Sequence, residues 1–163
     1  TLLREENLKM FARMGVLSEK ESLSRYEILM ENYNKTINIE AHTAVEMVKR
    51  DILPVVLKYI GELAASINQV KATGVHIILD TQEELLEEVS RLAKSAYDKV
   101  KQLEKAIFEA AGITDVTAQG VAYRDNVLPV MKSLRNDIDG LEMLVDARYW
   151  PMPTYGDLLF GIQ

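Results

Sequence analysis

Cysteine is absent from this 163-residue chain. That removes any disulfide framework and any thiol nucleophile, and fits a reducing compartment. Only four prolines and eight glycines occur, so long segments run free of helix breakers. The glycines never fall into GxGxxG or GxxxxGK spacing, and no serine or threonine sits in a nucleophile elbow. The only histidines are His42 and His76. A di-iron bundle needs a glutamate three residues before its histidine; Ile39 and Thr73 occupy those places, and both histidines read as surface or interface residues. No basic cluster exceeds two or three residues, and the formal charge is −6 with a pI near 5.0. That balance argues against a nucleic-acid or anionic-membrane partner. The longest apolar run, Ile52 to Leu57, is far short of a membrane span, and no signal peptide is visible.

What is present is helical periodicity. A hydrophobic share of 48% and a charged share of 27% are globular values. From Ser18 to Thr73 the breakers are Pro54 and Gly61 alone, and apolar residues recur at steps of three and four: Leu23, Tyr26, Met30, Tyr33, Ile37, Ala41, Ala44, Val48, Ile52, Val55 and Tyr59. Such a helix would run about 80 Å. A short amphipathic helix over 2–14 precedes it, stopped by Gly15. Ser18 and Glu21 form a capping box for the long helix, and Gly74 is its left-handed terminator. Val75 to Leu79 reads as a short apolar connection. Asp80 is expected to cap a second long helix, striped by Leu85, Val89, Leu92, Ala96, Val100, Leu103, Ile107 and Ala110 and ended by Gly112. Glu83, Glu84, Glu87 and Glu88 near its start read as a solvated face that complements the helix dipole. Thr114 is expected to cap a third, striped by Val116, Tyr123, Val127, Met131, Leu134, Ile138, Leu141 and Val145. Tyr149 to Phe160 reads as an ordered non-helical tail.

The fold expectation is all-α: one domain over 1–163, an elongated bundle of three long antiparallel helices, with a short N-terminal helix and a non-helical C-terminal tail. Equal-rise counting from the two turns sets residue n of the first long helix level with about n+73 of the third. Residues 18–40 then project beyond the bundle, and Pro54 and Pro129 lie at similar heights. Arg50-Asp-Ile-Leu-Pro54 and Arg124-Asp-Asn-Val-Leu-Pro129 resemble one another, and each proline should kink its helix. The chain begins at Thr1 without Met and reads as a piece of a longer protein.

Three stretches carry a more specific signal: Ser24-Arg-Tyr-Glu-Ile-Leu-Met-Glu-Asn-Tyr-Asn-Lys-Thr-Ile-Asn-Ile-Glu-Ala41; Tyr123-Arg-Asp-Asn-Val-Leu-Pro-Val-Met131 with Leu134-Arg135; and Tyr149-Trp-Pro-Met-Pro-Thr-Tyr-Gly-Asp-Leu-Leu-Phe160. In order and spacing they resemble the C-terminal region of type III glutamine synthetase, the long-chain class of that enzyme. The resemblance implies a cytosolic parent that ligates ammonia to glutamate at the expense of ATP, with divalent metal, in a large ring-based oligomer. It also implies that the metal carboxylates and nucleotide contacts lie in a catalytic barrel N-terminal to this region. No catalytic, cofactor-binding or metal residue can be carried onto this sequence.

The sequence therefore reads as a structural and assembly domain, inactive alone, with no cofactor of its own and with ATP and Mg belonging to the resembled parent. Its expected partners are the catalytic domain of the parent chain and neighbouring protomers of a homo-oligomer, with neither nucleic acid nor membrane among them. A free-standing helical adaptor is the alternative. A ligand-sensing bundle is disfavoured because the stripes offer no obvious polar core group to orient a ligand. The candidate interaction residues are Tyr26, Met30, Tyr33, Ile37, Tyr149, Trp150, Tyr155 and Phe160.

Overall fold

The computed structural model describes residues 3–153 and 155–161, the side chains of 155–157 excepted. Every regular element among them is helical: α1 Glu5–Arg13, α2 Glu19–Met47, α3 Leu53–Ala72, α4 Asp80–Ala111, α5 Val116–Ala122, α6 Leu128–Leu144 and α7 Tyr155–Phe160. Two five-residue π turns, Val48–Ile52 and Tyr123–Val127, join α2 to α3 and α5 to α6. By contact density the chain divides into two compact units, residues 1–42 with 105–129 and residues 43–104 with 130–163.

The helix ends follow local chemistry. Gly15 and Gly74 adopt left-handed backbone, at φ 63 and 71, where a side chain would be strained. The capping box forms in full: Ser18 N and Oγ donate to Glu21 Oε2 at 2.8 and 2.7 Å, and Glu21 N donates to Ser18 Oγ at 3.2 Å. Two expected caps move. Asp80 is the first residue of α4 rather than its cap. The third helix is capped by Asp115, not Thr114: the Asp115 carboxylate accepts from Ala118 N at 2.7 Å. The aspartate offers a charged acceptor to the positive end of the helix, one residue nearer its start.

Each proline sits second in the helix that follows a π turn. Ahead of Pro54, Leu53 N–H reaches back five residues to Val48 O; ahead of Pro129, Leu128 N–H reaches Tyr123 O. A proline inside an unbroken α-helix clashes with the carbonyl four residues back; the wider turn takes up that conflict within the helix. The two Leu-Pro sites thus share one local structure, and their likeness in sequence is anchored at Leu-Pro rather than at Arg-Asp.

In the unit 43–104 with 130–163, Lys71–Glu83 and Lys49–Glu104 pair α3 and the turn before it with α4 in opposite chain directions, at 2.6 and 2.7 Å. Val56, Val89, Ala96, Val100, Leu103 and Leu141 are its fully buried centre. The tail is not wholly non-helical as expected: Tyr155–Phe160 forms a short helix. Leu158, Leu159 and Phe160 are good turn formers, and Pro153 stands just outside, where its ring conflicts with no preceding turn.

In the unit 1–42 with 105–129, α2 lies beside α5. The expected spacing of about 73 does not hold here: hydrogen bonds join residues 82, 85, 85 and 91 apart. Equal-rise counting ignores the residues spent in the 112–115 link and any lateral offset of the helices. As a result, Tyr26 to Asn38 does not project bare but is flanked by Val116 to Tyr123.

Candidate functional site

Two places gather the candidate residues. In the unit 1–42 with 105–129, Tyr26, Met30 and Tyr33 are half-buried and Ile37 is buried. They share the face of α2 that meets α5. Tyr26 Oη lies 3.3 Å from Thr117 Oγ1. Gly120 makes the approach possible: a methyl built on it would overlap the Met30 terminal methyl and come within 3.0 Å of Asn34 Oδ1. These four side chains therefore serve mainly to hold α5. Leu23, Ile28, Leu29 and Ile39 on the same helix remain exposed.

In the other unit the tail is clamped at its start. Tyr149 donates its hydroxyl to Glu62, packs its ring 6.0 Å from that of Tyr59, and lies under Lys58 Nζ at 5.2 Å. The hydrogen bond to Glu62 pushes the Tyr149 phenol up, and burial pushes up Tyr59. Arg148 hydrogen-bonds Asp146 through side chain and backbone and holds that carboxyl down at about 2. Trp150 is half-buried, its indole N–H without a partner. Phe160 is 76% exposed, beside exposed Leu158 and Leu159. Tyr155 opens α7, and its side chain lies outside the described residues. The structure thus uses Tyr149 within its unit and leaves Phe160 free.

Sequence reasoning missed a polar ladder between α2 and α5. Asn34, 3% exposed, donates Nδ2 to Val116 O at 2.9 Å and to Gln119 Oε1 at 3.0 Å. Gln119 Nε2 in turn donates to Ile113 O at 3.1 Å and Ala110 O at 3.4 Å, satisfying carbonyls at the end of α4. Tyr123 donates to Asn38 Oδ1 at 3.1 Å, and burial holds its phenol above the ordinary range. Polar groups do face this core, contrary to the expectation that none would. The signal was available: Asn34/Asn38 and Gln119/Tyr123 are both i,i+4 pairs set against apolar stripes.

His42 and His76 are exposed. Among the described residues, no group of three or more His, Asp or Glu side chains is placed to hold a metal, and no helix is long and apolar enough to cross a membrane.

Comparison with known proteins gives these features a family. The chain is 35% identical over 99% of its length to a glutamine synthetase of Butyrivibrio fibrisolvens. It is 29% identical over 96% to the type-3 glutamine synthetase of Dictyostelium discoideum, and 26% identical over 89% to a glutamine synthetase of Bacteroides fragilis. It spans 23%, 22% and 20% of those relatives' lengths. Residues 1–71, from α1 through α2 and most of α3, belong to the glutamine synthetase C-terminal domain family, and the likeness to glutamine synthetases continues through the rest of the chain.

Proposed function

We propose that residues 1–163 are a single C-terminal structural and assembly domain of a glutamine synthetase, built as an elongated bundle of three long antiparallel helices. On this reading the parent ligates ammonia to glutamate with ATP and divalent metal in the cytoplasm, and does so in a part of the protein other than this one. This domain supplies no catalytic group. It docks on the catalytic domain of its own chain and on neighbouring protomers of a homo-oligomer.

The observation that carries the reading is the coverage. Nearly all of this chain is matched, yet it accounts for about a fifth to a quarter of each relative. Exposed apolar side chains support it. Leu158, Leu159 and Phe160 stand 67, 71 and 76% exposed on α7, and Val75, Ile77 and Ile78 are exposed in the connection between α3 and α4. Consecutive large apolar residues in water are the composition of a surface meant to be covered.

Deletion of residues 1–163 from the full-length parent tests the proposal. The expected result is loss of the native oligomer by light scattering, with the remainder still folded. A parent of unchanged mass and activity would refute it.

A further inference from the structure

The polar ladder between α2 and α5 borders a pocket of about 330 Å³ within the unit 1–42 with 105–129. Its walls include Glu31, Asn34, Lys35, Asn38, Gln119 and Tyr123. We propose that this pocket is a binding site for a small zwitterion of the α-amino-acid class.

Three observations converge on that chemistry. Asn34 is 97% buried by its 3% exposure, and its Oδ1 has no hydrogen-bond partner. Nothing in the helix pairing requires this: Nδ2 alone makes both bonds to α5. The oxygen rests against Gly120, and a turn about the broad terminal torsion of asparagine brings it toward the pocket. An acceptor left without a donor in such a place is matched by a ligand N–H.

Opposite charges come next. Glu31 and Lys35 stand one helical turn apart on the rim, 3.3 Å from each other, with side chains 51 and 69% exposed. An exposed i,i+4 pair adds little to the fold, so opening it is cheap. A zwitterion between them gives its ammonium to Glu31 and its carboxylate to Lys35. A molecule of one sign satisfies one of these groups and strands the other.

Finally, Asn38 accepts from Tyr123 through Oδ1, so its own amide N–H₂ is free to donate into the pocket. The wall thus presents one acceptor and one donor beneath a paired anion and cation, held on two helices that Gly120 allows to touch. Pockets of this kind orient ligands through a few fixed polar groups.

The test is an amide-detected NMR titration of the full chain with glycine, L-serine and L-glutamine, carried to tens of millimolar, with glycerol and acetate as controls. Saturable shifts are expected at the side-chain amides of Asn34, Asn38 and Gln119 for the amino acids and not for the controls. The double variant Glu31→Gln with Lys35→Met, which changes exposed side chains only, should stay folded and weaken binding by at least about tenfold, the size of one charge-assisted hydrogen bond. Absence of saturable shifts, equal shifts with glycerol or acetate, or undiminished binding in the rim variant would each overturn the proposal.

Discussion

Lys99 and Asp137 face each other across α4 and α6 at 2.8 Å, with side chains only 22 and 12% exposed. The Lys99 ammonium gives its directed hydrogen bond to Ser133 O at 3.0 Å, so the carboxylate is held chiefly by charge. Removing one partner strands the other in a dry place. Asp137→Ala should therefore destabilise the protein by about 2–3 kcal/mol, at or below the low end for a buried pair because the lysine retains some water. The double change Lys99→Met with Asp137→Leu should recover most of that loss. Urea denaturation of the three variants measures it, and a single variant as stable as the parent would show that the pair contributes nothing.

A second expectation concerns Gly120. Its missing side chain lets α5 meet Met30 and Asn34. Gly120→Ala gains helix propensity, about 1 kcal/mol, but must displace the Met30 methyl and the Asn34 amide. The expected net is a loss of about 1–2 kcal/mol, typical of overpacking. Met30→Ala in the same chain should relieve part of it, giving a coupling of opposite sign in a double-mutant cycle. Strictly additive effects would show that the two residues do not meet.

The long helices were legible because their stripes, stops and capping box are local. Gly15, Gly74 and Gly112 ended helices where expected, and Ser18 with Glu21 started one. The failures were of two physical kinds. Where two good caps stood together, at Thr114 and Asp115, the sequence could not rank a charged acceptor nearer the helix against a hydroxyl one residue before it. Where the answer depended on pairing, no single helix contained it. Asn34 looks like an ordinary polar residue until Gln119 and Tyr123 are set opposite, at a register about a dozen residues from that given by equal-rise counting. Of the candidate site, the sequence correctly marked Tyr26, Met30, Tyr33 and Ile37 as contact residues. It could not say that α5 would cover them.

Acid should loosen the start of the tail. The Asp146 carboxyl ordinarily titrates near 3.8 and is held down at about 2 by Arg148. A depressed carboxylate stabilises the fold fully above its unfolded value and loses that contribution as pH falls through its folded one. Melting temperature should therefore decline between about pH 4 and pH 2 partly through this group. Asp146→Asn should flatten the profile in that window and leave its shape above pH 5 alone. Parallel profiles for the two proteins would contradict the assignment.

The capping box gives a fourth expectation. Ser18→Ala removes both the hydroxyl that accepts from Glu21 N and the one that donates to its carboxylate. Loss of an N-cap costs about 1 kcal/mol. Hydrogen exchange should show the effect confined to the first turns of α2, with amides beyond Ile37 unchanged. Uniform loss of protection along α2 would mean that its two ends open together.

The π turns before Pro54 and Pro129 have a consequence for how this chain can vary. Each winds one additional residue into a helix without breaking it. Excising that residue would rotate everything beyond it by about 100°, one residue's share of an α-helical turn. Past the first turn, Leu53, Val56 and Ile67 would swing off the core; past the second, Leu134 and Leu141 would. The turns thus act as angular set-points, each putting two stretches of the same helix in phase with different neighbours. Single-residue deletions at 48–52 or 123–127 are far more disruptive than deletions of equal size in the 74–79 connection, where nothing downstream is indexed to the helix upstream.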